Sequence, residues 1–202
     1  MLKYNIVETV NVGLRLLRKA RNIKSQILKS DRRDFLFELL PKNSICAEIG
    51  VYKGDFSQRI LDKTNPKKLI LIDAWDKSVM IDNSHVCNIL QEDMEIIYKN
   101  VQRRFAKKNV EIKRKKSIQA LREYANNIFD WIYIDGSHEY NDVLDDLEMS
   151  LIKVKKGGLI VGDDYANAKG KWENDVIRAV SFFTAKHNLP LKIIGDQYVI
   201  RT

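Results

Sequence analysis

The chain has 202 residues, 45% hydrophobic and 31% charged, which fits one globular domain and excludes a disordered chain. Its apolar runs are short, Leu69–Ile72 among them, far from the roughly 20 residues of a membrane span. The net charge of +8 and two cysteines, Cys46 and Cys87, leave an anionic partner open but exclude a disulfide framework or cysteine metal site.

The charge is concentrated. Residues 1–29 hold seven Lys or Arg against Glu8 alone, and residues 103–116 hold eight against Glu111. The remainder is net acidic, so the excess belongs to two basic faces, either simply solvated or facing an anionic surface. Lys3 is followed by mixed residues without the apolar stretch of a secretion signal, and the expected location is cytoplasmic.

Ile6, Val10, Leu14, Leu17, Ile23 and Ile27 recur at helical spacing and predict a basic amphipathic helix over Ile6–Leu28. A short helix over Asp31–Leu40 ends at Pro41. Residues 1–40 are thus expected to form a helical extension, and 41–202 the main domain.

From Ile45 the rhythm changes. Apolar runs at Ile45–Ile49, Leu69–Ile72, Val110–Lys113, Trp131–Ile134 and Leu159–Val161 are continuous, as in strands buried on both faces. Helical stretches separate them at Asp55–Leu61, Asn88–Phe105, Ser117–Asn126 and Tyr140–Val154, with Trp172–His187 last. This alternation predicts an α/β fold, a Rossmann-like doubly wound sheet with helices on both faces. Leu191–Ile194, Gly195-Asp196 and Gln197–Arg201 read as a terminal antiparallel hairpin.

In such sheets ligands bind beyond the carboxyl ends of the strands. The first strand runs into Glu48-Ile49-Gly50-Val51-Tyr52-Lys53-Gly54. This GxxxG turn lacks the third glycine of a dinucleotide fingerprint, and Glu48 suits a cation or ammonium better than a diphosphate. Asp73 closes the second strand, where a carboxylate can accept hydrogen bonds from the vicinal hydroxyls of a ribose. Trp75 beside it offers a face for adenine. Asp135 ends the fourth strand, and Asp163 and Asp164 end the fifth. Their mutual repulsion asks for a cation, and all-oxygen ligands point to Mg²⁺ or Ca²⁺.

Glu48–Gly54, Leu71–Trp75, Tyr133–Tyr140 and Gly157–Tyr165 together resemble the class I S-adenosylmethionine-dependent methyltransferases, above all their small metal-dependent O-methyltransferase branch, which includes the catechol and macrocin enzymes. The resemblance spans residues 40–202. It implies that Glu48, Gly50, Tyr52, Gly54 and Ser57 hold the methionine part of the cofactor, that Asp73 binds the ribose, and that Ser117 lies near the adenine, for which Trp75 offers its face. Asp135 is assigned to the cofactor site as well. Asp135, Asp163 and Asp164 match the metal ligands, although close relatives often have His in place of Asp163. His138 falls where the catechol enzyme has its catalytic Lys.

Those roles are chemically coherent. Transfer of a methyl group from a sulfonium to a hydroxyl requires the acceptor to lose a proton, and a divalent ion or a His can promote that loss. The expected activity is therefore O-methylation of a small-molecule or sugar hydroxyl by His138 and Asp135. The sequence Asp-Gly-Ser-His at 135–138 lacks the Pro-Pro-aromatic signature of enzymes that methylate nucleic-acid bases. The basic N-terminal helix is expected to form a lid, pair with a second copy or lie on a membrane. Two rival readings are a nicotinamide-dependent oxidoreductase and a non-catalytic membrane- or RNA-binding module. The apolar loop around Met80, Ile81, His85 and Val86 is a candidate substrate wall.

Overall fold

A computed structural model describes residues 35–76, 91–165 and 174–202 of the chain. The basic helix over Ile6–Leu28, residues 31–34 of the short helix after it and the loop around His85 lie outside the described residues, while 35–39 of that short helix are helical as expected.

Seven strands form one sheet: β1 (Ile45–Ile49), β2 (Lys68–Asp73), β3 (Val110–Arg114), β4 (Phe129–Ile134), β5 (Val154–Gly162), β6 (Leu191–Ile194) and β7 (Gln197–Arg201). Their spatial order is β3-β2-β1-β4-β5-β7-β6. The first five are parallel, while β7 pairs antiparallel with β5 and β6. The helices are α1 (Asp55–Thr64), α2 (Gln91–Phe105), α3 (Ser117–Leu121), α4 (Tyr140–Lys153) and α5 (Asp175–His187). The expected doubly wound fold with its terminal antiparallel strands is therefore present.

Alternation within the strands explains the two-sided core. Cys46, Leu69, Leu71, Trp131, Tyr133, Leu159 and Val161 face one side and pack with α1 and α2. Ala47, Ile70, Ile72, Ile132, Ile134 and Ile160 face the other and pack with α3, α4 and α5. Apolar residues on both sides of a period-2 strand make the continuous hydrophobic runs seen in the sequence.

Three boundaries differ from expectation. Leu36, Phe37 and Leu40 are buried in the first of these cores, so the domain begins before residue 41. The helix expected over Ser117–Asn126 ends at Leu121, where Glu123 N–H and Tyr124 N–H bond to Ala120 O and Leu121 O in a tightened turn. β5 starts at Val154, directly after α4, because Val154 pairs with Phe129 across a register shift and Lys155 reaches Asp130 at 2.5 Å. Among the described residues, no helix is long and apolar enough to cross a membrane.

Candidate active site

The strand order reverses between β1 and β4, and a cavity of about 840 Å³ opens there beyond the strand ends. That volume lies within the range of small-molecule and cofactor sites. Its wall includes Glu48, Gly50, Tyr52, Asp73, Ser117, Asp135 and His138.

The turn after β1 is built against β4. Gly50 has φ +85°, and a Cβ placed there would lie 1.9 Å from the Asp135 carbonyl oxygen. Only glycine allows both that conformation and that approach. Gly54 (φ +75°) caps α1 and fits against Phe105, where a Cβ would come within 2.7 Å of the ring. It closes the turn through its N–H to Val51 O at 2.9 Å, and it does not line the cavity.

Two carboxylates hold this wall. Glu48 is 1% exposed and accepts the Ser57 hydroxyl proton at 2.5 Å. Ser57 is itself fully buried and absent from the cavity wall. It acts beneath the site, by orienting Glu48, rather than within it. Asp73 Oδ2 accepts Val51 N–H and Tyr52 N–H, each at 2.9 Å, and its Oδ1 accepts Trp75 N–H at 2.7 Å. Three of about four lone-pair positions are thus taken by backbone, leaving one rather than the pair that a vicinal diol would use.

Trp75 does not offer its face to the cavity. It is completely buried, donates its indole N–H to Tyr52 O at 2.9 Å and packs on Tyr98 with ring centroids 5.0 Å apart. A left-handed backbone (φ 42°) turns the ring inward, so the expected adenine contact is replaced by support of the loop.

The opposite wall carries Asp135 and His138, with Asp164 behind them. Asp135, His138 and Asp164 each offer a ligand or acid–base atom, and the three atoms lie within 4.8 Å of one another. His138 Nε2 is 3.1 Å from Asp164 Oδ2. The Asp164 hydrogen bond raises the imidazole above its ordinary pKa against the opposing effect of burial, and the charges of Asp164, Asp135 and Asp163 add to the rise. Of the expected trio of Asp135, Asp163 and Asp164, two belong to this group. Asp163 is 7% exposed and lies outside the group, whose third member is His138. Asp163 and Asp164 both follow the end of β5 at Gly162, and the left-handed backbone at Asp164 (φ 58°) puts its carboxylate 3.1 Å from His138.

Ser117 opens α3 on the cavity wall. It hydrogen-bonds Asp146, a residue of α4 that the motifs do not include and that also lines the cavity. Burial pushes the Asp146 carboxyl up to about 7, partly countered by the Ser117 bond, and nearby Asp142 and Asp145 push it the same way as burial. Its sequence signal is positional. Val143, Asp146, Leu147 and Ser150 are the buried stripe of α4, and a carboxylate on such a stripe is out of place unless it has a task.

Comparison with known proteins agrees with this fold. Over 59 residues the chain is 39% identical to the uncharacterized protein R132 of Acanthamoeba polyphaga mimivirus. That stretch is 29% of this chain and 26% of R132, so the match spans about a quarter of the relative's length. SMU.1697c of Streptococcus mutans, assigned as a methyltransferase and solved with S-adenosylhomocysteine, superposes with a TM-score of 0.57 at 16% identity, covering 86% of this chain and 96% of that one. A Staphylococcus aureus protein assigned as a caffeoyl-CoA O-methyltransferase gives 0.58 at 12% identity over 98% and 96%. Residues 47–165, more than half of the chain, match the family described as a methyltransferase domain; the chain belongs to that family and has the class I fold of S-adenosylmethionine-dependent methyltransferases.

Proposed function

We propose that the protein transfers the methyl group of S-adenosylmethionine to a hydroxyl of a small molecule or sugar, with His138 taking the acceptor's proton. The observation that carries this reading is His138 beside Asp135 after β4, both lining the same cavity as the β1 turn, with His138 held from behind by Asp164. The cofactor's ammonium is assigned to the side of Glu48, and one ribose hydroxyl to the remaining position on Asp73. Glu48 on that wall also disfavours a nicotinamide dinucleotide, whose diphosphate it would repel.

In the reaction, the acceptor oxygen forms its bond to the methyl carbon as the carbon–sulfur bond breaks, and the hydroxyl proton leaves to His138. With Nε2–H donated to Asp164, Nδ1 is the nitrogen left to accept it. Asp164 fixes the tautomer and the ring, and stabilises the imidazolium that results. Asp135, whose N–H is tied to Ile49 O at 2.8 Å, holds its carboxylate between the β1 turn and His138 and orients the acceptor.

The same trio fits a divalent cation as a second reading. Asp135 and Asp164 would each give an oxygen and His138 a nitrogen. That mixed set suits Mg²⁺ or Mn²⁺ with water completing the shell, and suits Ca²⁺ poorly, since Ca²⁺ takes six to eight oxygens. A bound cation would lower the pKa of a coordinated hydroxyl.

Transfer of a labelled methyl group to hydroxyl and amine acceptors, alongside S-adenosylhomocysteine titration by calorimetry, tests the proposal. His138→Ala should lower kcat by roughly 10²–10⁴-fold while leaving S-adenosylhomocysteine affinity within about twofold of native. Native turnover in that variant, or label found only on nitrogen, overturns the assignment. Full activity in EDTA selects His138 as base over His138 as ligand.

A further inference from the structure

Asp164 meets His138 through a left-handed backbone, φ 58°, which a residue other than glycine keeps only where its surroundings impose it. Here they do so from three sides. Before it, Asp163 N–H bonds to Ile134 O at the end of β4, at 3.1 Å. After it, Tyr165 N–H bonds to Asp196 O in the turn between β6 and β7, at 2.8 Å. The third support is Tyr198 of β7, which pairs with Gly162, the last residue of β5. The far end of its ring fills the space that a side chain at 162 would need: a Cβ there would lie 2.2 Å from both Cζ and the hydroxyl oxygen. Tyr198 is fully buried, and its ring meets that of Tyr165 with centroids 6.4 Å apart.

A strand that only closed the sheet could set any β-branched residue opposite Gly162. Tyr198 instead reaches across β5 to both ends of the turn that carries Asp164, touching Gly162 before it and Tyr165 after it. Burial above all, then the charges of Asp146, Asp135 and Asp163, raises its hydroxyl well above the ordinary tyrosine value. The ring end therefore stays neutral and adds no charge to a place already crowded with carboxylates. We propose that Tyr198 is a positioning residue of the methyl transfer, whose ring, packed over Gly162, holds the 162–165 turn in the arrangement that presents Asp164 to His138. The terminal hairpin thereby orients the base without touching cofactor or acceptor. The proposal rests on the function proposed above.

Two substitutions separate the ring from its hydroxyl. Tyr198→Phe keeps the ring, while Tyr198→Leu ends short of Gly162; Tyr198→Ile, better suited to a strand, takes its place if the leucine variant does not fold. In crystal structures of the full chain, Tyr198→Phe should keep the hydrogen bond between His138 and Asp164, and Tyr198→Leu should lose it with the sheet intact. In the labelled-methyl assay, Tyr198→Leu should lower kcat by roughly tenfold or more, with KM and S-adenosylhomocysteine affinity within about twofold of native. Tyr198→Phe should stay within about threefold of native kcat. Asp164→Asn removes the group through which Tyr198 acts, so adding Tyr198→Leu to it should cost less than about twofold more, because residues that act through one another are not additive. A native His138–Asp164 contact in Tyr198→Leu, an equal loss of kcat in Tyr198→Phe, or an undiminished further loss in the Asp164→Asn background overturns the proposal and leaves the function reading standing. Absence of methyl transfer to any hydroxyl by the native chain overturns that reading, and this proposal with it.

Discussion

The two walls of the cavity are built from the same residue types and use them differently. On the β1–β2 wall the acids are spent on the protein itself: Asp73 holds three backbone N–H groups, and Glu48 takes the Ser57 hydroxyl. On the β4–β5 wall they face one another and His138, while Asp146 behind them keeps an acceptor open. The first wall is a rigid cradle whose shape is set before any ligand arrives. The second gathers charge in a half-buried place, where the His138 and Asp146 pKa values move, and that is where acid–base chemistry is expected. Each prediction below presses on one side of this contrast.

The largest effect should come where the walls touch. Gly50→Ala puts a methyl group 1.9 Å from the Asp135 carbonyl oxygen at a φ of +85°, so the β1 turn must move away from β4. A loss of on the order of 3–5 kcal/mol in urea unfolding is expected, together with loss of S-adenosylhomocysteine binding. A loss under 1 kcal/mol would mean that the two walls are not locked together.

Next is the buried acid of the second wall. The Asp146 carboxyl rises from an ordinary 3.8 to about 7 in the folded chain, so the fold favours its protonated form. Its contribution to stability is complete below about pH 4 and disappears as pH rises through about 7. Asp146→Asn has no proton to lose. The variant should therefore gain on the native chain between pH 4 and pH 8 by on the order of 3–4 kcal/mol, read as unfolding midpoints at the two pH values. Asp142 and Asp145 face the same group, and Tyr198, whose own hydroxyl feels the Asp146 charge, packs nearby. Double variants with Asp142→Asn and Asp145→Asn would isolate the part due to burial. A carboxylate that weakens the fold at neutral pH and yet lines the binding cavity fits a binding task better than a structural one.

The doubly wound sheet and its terminal antiparallel pair were legible because the signals are local and repeated: two-sided apolar strands, helices between them and a Gly-Asp turn at the end. The strand-end acids were legible too, since topology alone brings them to one edge. What could not be read was direction. Trp75 and Ser57 sit beside motif residues, but a left-handed backbone at one and full burial at the other turn both side chains away from the cavity. Asp163 and Asp164 are chemically identical in sequence, and only the turn after β5 decides which one meets His138. Asp146 was detectable as a charge on an apolar stripe, a signal of periodicity rather than of motif.

On the cradle wall, Asp73→Ala should cost roughly 2–3 kcal/mol, because three backbone N–H groups lose their acceptor in a half-buried turn. Asp73→Asn keeps one carbonyl oxygen and should recover part of that. Thermal unfolding of both without ligand separates this structural share from any ribose contact. If Asp73→Ala melts like the native chain yet binds S-adenosylhomocysteine poorly, Asp73 belongs to the ligand and not to the cradle.

The smallest effect tests whether support from below can be told from contact. Ser57 is fully buried under Glu48 and reaches the cavity only through it. Ser57→Ala leaves the carboxylate with one donor fewer, at about 1–2 kcal/mol for a bond to a charged acceptor. The Glu48 carboxylate then has more freedom to turn, and S-adenosylhomocysteine affinity should fall only a few-fold, by less than the loss of stability. A residue that touched the cofactor would show the reverse, with affinity falling further than stability. Ser57→Thr keeps the hydroxyl but adds a methyl group in a space with none to spare, so it should lose stability through overpacking while keeping the Glu48 bond and most of the affinity. The pair therefore distinguishes the hydroxyl's bond from the space it occupies: affinity that follows the hydroxyl rather than the packing places Ser57 in the cradle's support, one layer beneath the ligand.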